Sequence, residues 1–244
     1  MALYVDAKKG ILERLEAREW LPGDRLPPEG PLAEMFSVSV GTLRRAVSEL
    51  CEEGILWKRQ GSGTYVRSYR DAGAGYWNRL QPFQTRDGRP LILLERTVIL
   101  LEEVSAPELV ALKLRLPSDG NVIHVLRQMN NGKASTMGSD ELFLRPDFFK
   151  GMTQKRFEER LDPDESLYSF YEREFGVEIV ETSNFAYWSV GTHEEAERLL
   201  VPELEGMPLV SYHRVSKTYN HTPVEYRIIR VNAGDIQISM DITR

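Results

Sequence analysis

Arg44 and Arg45 stand side by side in the stretch SVSVGTLRRAVSELCEEG, residues 37–54, with Ser39 and Thr42 just ahead of them. A guanidinium presents a planar fork of N–H donors that matches a phosphate or the O6/N7 edge of guanine, and hydroxyls add single contacts to phosphate oxygens. This set suits nucleic-acid binding. The residue types that do covalent chemistry lack the spacing for it. The four histidines, at 124, 193, 213 and 221, are scattered, and HEEAE at 193–197 lacks the second ligand of a zinc helix. GAG at 73–75 has no third glycine at the spacing of a dinucleotide loop, and no Walker loop, Gly-x-Ser-x-Gly or His-Glu-x-x-His occurs. No metal and no cofactor is expected.

Two adjacent arginines on a helix are ordinarily solvated surface residues, here balancing Glu49, Glu52 and Glu53. The order of elements around them argues for more. Ala7, Ile11 and Leu15 at four-residue intervals predict a first helix over about 3–19. LPGDRLPP stops it, and a second short helix with Pro31 near its first turn is expected to bury Leu32, Met35 and Phe36. Ser39 then caps a third helix whose core stripe is Leu43, Ala46, Val47 and Leu50, with Gly54 as its stop. Two β-prone runs, 55–58 and 64–67, flank a tip holding Gly61 and Gly63 and predict a hairpin. The stripe places Arg44 away from the core with Arg45 beside it. Ser39 and Thr42 sit at a helix N-terminus that favours phosphate. Arg59, Gln60 and Ser62 lie at the hairpin tip. Helix, helix-turn-helix, hairpin is the order of a winged helix-turn-helix.

The 244 residues suit one large or two ordinary domains, and 41% hydrophobic content supports real cores. No apolar run reaches the roughly 18 residues of a membrane helix, and the first residues lack a signal-peptide pattern, so no membrane partner is expected. A single cysteine, Cys51, excludes an internal disulfide and fits a cytoplasmic protein. The net charge of −6 argues against nucleic acid on its face, but residues 1–70 carry 11 Lys+Arg against 10 Asp+Glu. The acidic excess lies in the remainder, and the basic bias is local.

The run LPGDRLPPEGPLAEMFSVSVGTLRRAVSELCEEGILWKRQGSGTYV resembles the DNA-binding domain of the GntR superfamily of bacterial transcription regulators. The shared features are the Pro-Gly turn, the Leu-Ala pair, the Val-Ser-x-x-Thr helix entry and the Gly-x-Gly-Thr wing, which here is Gly61, Ser62, Gly63 and Thr64. The sequence departs from that pattern at Gly30 and Val40, where the family often has arginine. The resemblance implies a homodimer on a palindromic double-stranded DNA operator, with Ser39, Thr42, Arg44, Arg45, Arg59, Gln60, Gly61, Ser62, Gly63 and Thr64 at the DNA.

Beyond a linker expected at 69–81, the second half reads as strands joined mainly by hairpins with helices between. That pattern belongs to an antiparallel α+β domain. RPLILLERTVILLE (89–102) is a strand; Ser105 and Glu108 are spaced as a capping box for a helix. Residues 121–144 form a hairpin about Asn-Asn-Gly-Lys, and SLYSFYEREFG is a helix ended by Gly176. VEIVETSNFAYWSV is a strand, Thr192 and Glu195 cap a helix, and two or three strands close the chain. This half is similar to the UTRA effector-binding domain of the HutC-like branch, whose fold resembles chorismate lyase, on SLY, PVEYR and the Arg-bearing hairpin. The resemblance implies a small-molecule effector met by Arg127, Asp140 or Glu141, Ser166, Tyr168, Glu225 and Tyr226. Arg127 can equally be a strand residue paired with an acid across the hairpin, and the two tyrosines can be core aromatics. Relatives carry Arg-x-Arg on this strand; here the second position is Met129, which removes a charge and favours an organic acid with one carboxylate over a sugar phosphate.

The domain reading is therefore 1–68 winged helix-turn-helix, 69–81 linker and 82–244 effector-binding and dimerisation domain. The functional expectation is a repressor released from its operator by the effector. A lyase-like enzyme on the second fold, and a regulator answering to a protein partner, are the rivals.

Overall fold

The computed structural model describes residues 3–68, 83–86, 88, 95–130, 136–161 and 165–238. The expected linker at 69–81 and the hairpin turn at 131–133 lie outside them. The chain divides into two units.

In the N-terminal unit, α1 (Leu3–Glu16) buries Ala7, Ile11 and Leu15, one face of a 3.6-residue period. It ends short of the expected 19, because Arg18 takes a left-handed φ of 61°. α2 (Glu29–Met35) buries Leu32 and Ala33. Met35, expected inside, is 43% exposed: it is the helix's last residue, so no following turn covers it. The ring of Phe36 packs where only Gly10 fits, since a Cβ at position 10 would sit 2.6 Å from it. α3 (Val40–Glu52) is capped by Ser39 and buries Leu43, Ala46, Val47 and Leu50, as the pattern requires. Gly54 ends it at φ +74°, a conformation that costs a side chain little only when there is none. β1 (Leu56–Arg59) and β2 (Gly63–Val66) pair antiparallel from Leu56↔Val66 to Arg59↔Gly63 and form the wing.

The C-terminal unit is a six-stranded antiparallel sheet with helices. Its strands are β4 (Glu95–Ser105), β5 (Asn121–Asn130), β6 (Thr136–Leu144), β7 (Glu181–Val190), β8 (Pro208–Thr218) and β9 (Thr222–Asn232), in the order β4-β5-β6-β9-β8-β7. A short pair, β3 (Phe83–Thr85) with β10 (Ile236–Ile238), stands apart. α4 (Glu108–Leu114) seals one end of the sheet with Val110 and Leu114 against Val122, Phe143 and Tyr226. α5 (Gln154–Arg160) and α6 (Leu167–Phe175) bring an aromatic group together, with Phe157 and Phe170 at 5.5 Å and Phe149 and Tyr171 at 4.8 Å. α7 (His193–Arg198) starts with the expected Thr192–Glu195 capping box and packs Ala196 beside Leu126 and Leu209.

Two local readings need correction. Ser105 caps nothing: it pairs with Asn121 as the last residue of β4, and Ala106 N–H donates to the Gly120 carbonyl. The sheet holds both residues extended, so the helix starts later with Pro107 as its uncapped N-cap. α5 was not expected, because QKRFEER offers one apolar residue, Phe157, and no stripe.

Candidate nucleic-acid interface and buried arginine site

α3 presents its N-terminal half to solvent. The Ser39 hydroxyl accepts the Thr42 N–H at 3.1 Å and shares a hydrogen bond with the Thr42 hydroxyl at 2.8 Å, so both hydroxyls brace the cap. The Arg44 and Arg45 side chains are each 63% exposed. They are held differently. Arg44 Nε donates to Glu29 of α2 at 2.6 Å, while the Arg45 guanidinium lies 3.8 Å over the Tyr4 ring and 3.7 Å from Glu49. Tyr4 thereby fixes Arg45 against α1, and Arg44 is the cation aimed outward from the two-helix junction.

On the wing, Arg59, Gln60 and Gly61 are exposed, while Ser62, Gly63 and Thr64 are half-buried. Ser62 is tied to the Tyr65 hydroxyl at 2.6 Å, and Tyr65 packs beside Trp57 at 5.3 Å. Gly63 sits at φ +133°, and a Cβ there would meet Arg25 Nε at 2.7 Å. Arg25, exposed and bridged through its backbone to Tyr65, is a basic neighbour of the wing that sequence reasoning missed. It lies in an aperiodic turn, and only the folded chain brings it to the hairpin.

In the C-terminal unit the strand period of two sorts the remaining candidates. Arg127 and Asp140 are directly opposed across β5 and β6 and bonded to one another. Arg227 of β9 grips both Asp140 oxygens at 2.7 Å, and Arg96 of β4 reaches the same carboxylate at 3.0 Å. Burial alone would raise the Asp140 pKa, but the three guanidiniums hold it well below the usual carboxylate range. Beside this group Glu225 accepts from the Tyr171 hydroxyl at 2.6 Å and from Ser216 at 2.8 Å. Tyr168 bonds Ser216 at 2.7 Å, and Arg214 reaches the Tyr212 hydroxyl at 2.7 Å and the Asn184 carbonyl oxygen at 2.8 Å. Ser166 caps α6 by accepting the Ser169 N–H at 3.0 Å. Arg127, Asp140, Tyr168 and Glu225 thus share one polar layer, all buried.

Glu141 and Tyr226 do not join it. Each follows a layer residue by one position, so each points to the opposite face of the sheet. There Glu141 accepts from His124, Arg198 and Arg230, and Tyr226 meets His213 Nδ1 at 2.6 Å. Met129 is buried against Val210, Tyr212, Ile229 and Val231. The charge its position lacks is supplied by Arg96 and Arg227 from other strands. Sequence reasoning missed Arg96, Arg214 and Arg227. Arg227 was within reach, because Glu225 and Arg227 alternate on one strand; Arg96 and Arg214 depend on which strands become neighbours.

The opposite face makes acid lability an expected property. Burial, with Arg230 and Lys113 nearby, lowers the His213 pKa from 6.5 to about 4, and the bonds to Glu141 outweigh burial and lower its pKa from 4.5 to about 2. In both cases the unfolded chain binds the proton at higher pH than the folded one, so stability falls on acidification. His213 acts between pH 6.5 and 4, Glu141 between 4.5 and 2. Denaturant titrations at pH 7 and 5 are expected to show a loss on the order of 1–2 kcal/mol in the C-terminal unit. His213→Asn should remove most of that difference; an equal loss in the variant would exclude His213 as its source.

Comparison with known proteins agrees with this layout. Residues 3–66 match the model of "Bacterial regulatory proteins, gntR family", and residues 92–236 match that of the UTRA domain. The "Probable fructoselysine utilization operon transcriptional repressor" of Escherichia coli (strain K12) is 26% identical over 99% of this chain and 95% of its own. The "Histidine utilization repressor" of Klebsiella aerogenes is 32% identical over 50% of each chain. The ligand-binding domain of a "putative GntR-family transcriptional regulator" from Bordetella bronchiseptica has the same fold, with a TM-score of 0.56 at 23% identity over 67% of this chain and 97% of that one.

Proposed function

Because the chain belongs to the gntR family of bacterial regulatory proteins, in the branch that carries a UTRA domain, we propose that it is a cytoplasmic homodimeric repressor released from a palindromic operator by a small organic acid. The observation that carries the reading is the exposed N-terminal half of α3, with Arg44 outward, beside a glycine-tipped wing. Ser39, Thr42, Arg44 and Arg45 take the major groove and its phosphates, and Arg59, Gln60, Gly61, Ser62, Gly63 and Thr64 contact the flanking backbone or groove. No helix among the described residues is long and apolar enough to cross a membrane.

The effector reading rests on the buried layer around Arg127. Among its described residues, Arg96, Arg127, Arg214 and Arg227 face only two carboxylates, Asp140 and Glu225. A cationic excess in a buried layer favours an anion, and the apolar Met129 on the same strand face suits a modest hydrocarbon part. The effector must prefer the conformation that fits DNA poorly, since only differential affinity moves the equilibrium.

The test selects sequences from random duplexes and then titrates the winner with carboxylates and sugar phosphates. An inverted repeat with half-sites roughly 34–36 Å apart, or a near multiple of that, is expected, together with release by carboxylates. Release by sugar phosphates alone would overturn the ligand class. Failure to enrich any sequence would overturn the regulator reading.

A further inference from the structure

β7 is a terminal strand of the six-stranded sheet, so its outer backbone edge has no partner strand among the described residues. Exposed edges are ordinarily blunted by lysine, proline or a bulge. β7 has none of these: from Ser183 to Val190 it carries no charge and no proline, and it pairs with β8 without a break from Glu181↔Lys217 to Val190↔Pro208. It also bears four of the molecule's exposed large apolar side chains, Phe185, Tyr187, Trp188 and Val190, between 44% and 68% exposed. Two of the rings are already set in place. Phe185 stacks on His213 at 4.6 Å and Tyr187 at 5.2 Å, with Tyr226 holding the imidazole. Rings fixed before contact lose little rotamer freedom on burial.

We propose that β7 is the seam between two copies of this chain, paired antiparallel edge to edge about a two-fold axis at Ala186, so that the two sheets run on as one. This rests on the homodimer reading above and names its surface. A two-fold axis perpendicular to the sheet preserves its faces, so the residue on the axis faces itself. With Ala186 there, Phe185 lies opposite the partner subunit's Tyr187, and the reverse pair repeats it. Aromatic cross-strand pairs of this kind add to ladder stability.

A second copy fits better than an unrelated chain because the edge is self-complementary in charge. The one charged residue of β7, Glu181, lies five positions from the axis. Its two copies therefore stand about 33 Å apart at opposite ends of the seam. The side chains and the new ladder together cover on the order of 1,000 Å², the lower range for a specific interface.

Light scattering on the full chain at micromolar concentration, with two variants, tests the seam. Trp188→Glu/Val190→Glu changes only exposed positions and is expected to weaken the dimer at least 100-fold while leaving the thermal midpoint unchanged. Ala186→Cys in a Cys51→Ser background is expected to oxidise to a covalent dimer, because facing residues of an antiparallel pair lie about 4.5–5.5 Å apart at Cα, within disulfide reach. A wild-type dimer that survives the double substitution and does not cross-link at 186 would overturn the seam and leave the homodimer standing. A wild-type monomer would overturn both.

Discussion

Asp140→Asn is expected to unfold the C-terminal unit or to lower its melting temperature by roughly 10 °C or more. Asparagine keeps the size and removes the charge. Arg127, Arg227 and Arg96 would then be left facing one another around a neutral amide, each nearly inaccessible to water. Removing one partner of a buried ion pair costs about 3–5 kcal/mol, and here one carboxylate answers three cations. A domain's whole stability is only about 5–15 kcal/mol. Calorimetry of the wild type and variant measures it directly. A midpoint unmoved by the substitution would show that the arginines are neutralised by something other than Asp140. Replacing Glu225 by Gln offers a graded comparison: its partners are the hydroxyls of Tyr171 and Ser216, which an amide still satisfies in part, so a smaller loss is expected.

Arg44→Ala is expected to abolish specific operator binding while leaving fold and assembly intact. The side chain is largely exposed and its single strong partner is Glu29, so its loss leaves no buried charge behind. A bidentate contact to a base edge is worth about 1–3 kcal/mol, and a homodimer loses it twice, so affinity falls by roughly two to four orders of magnitude. Titrations at fixed salt decide the matter, and unchanged affinity would remove Arg44 from the interface. Glu29→Gln supplies the opposite sign. It frees the guanidinium from its intramolecular partner, and tighter binding to any duplex is the expected result. Arg45→Ala should cost less, because its guanidinium is committed to the Tyr4 ring.

The winged helix was legible because its signals are local. A cap at Ser39, a stripe at Leu43, Ala46, Val47 and Leu50, and glycines at 54, 61 and 63 each depend on residues within a turn or two of one another. The misread positions are those where a distant contact overrode such a signal. Ser105 has the right spacing for a cap but is kept extended by Asn121 on the next strand.

The buried arginine layer is the reverse case. Arg127 and Asp140 are hairpin neighbours, so their pairing followed from the sequence once the hairpin was recognised. Arg96, Arg214 and Arg227 come from three other strands, and the order β4-β5-β6-β9-β8-β7 that gathers them cannot be read from any one segment. The same holds for the separation of Glu141 from Asp140 and of Tyr226 from Glu225. Alternation along a strand requires adjacent residues to point opposite ways, but which face meets α6 and which meets α4 depends on how the sheet is covered. The amino-acid sequence alone determined the elements, their caps and the outward basic helix, because those are set by short-range geometry. Only the tertiary structure decided which charges share a buried layer, because burial and strand neighbourhood are properties of the whole fold.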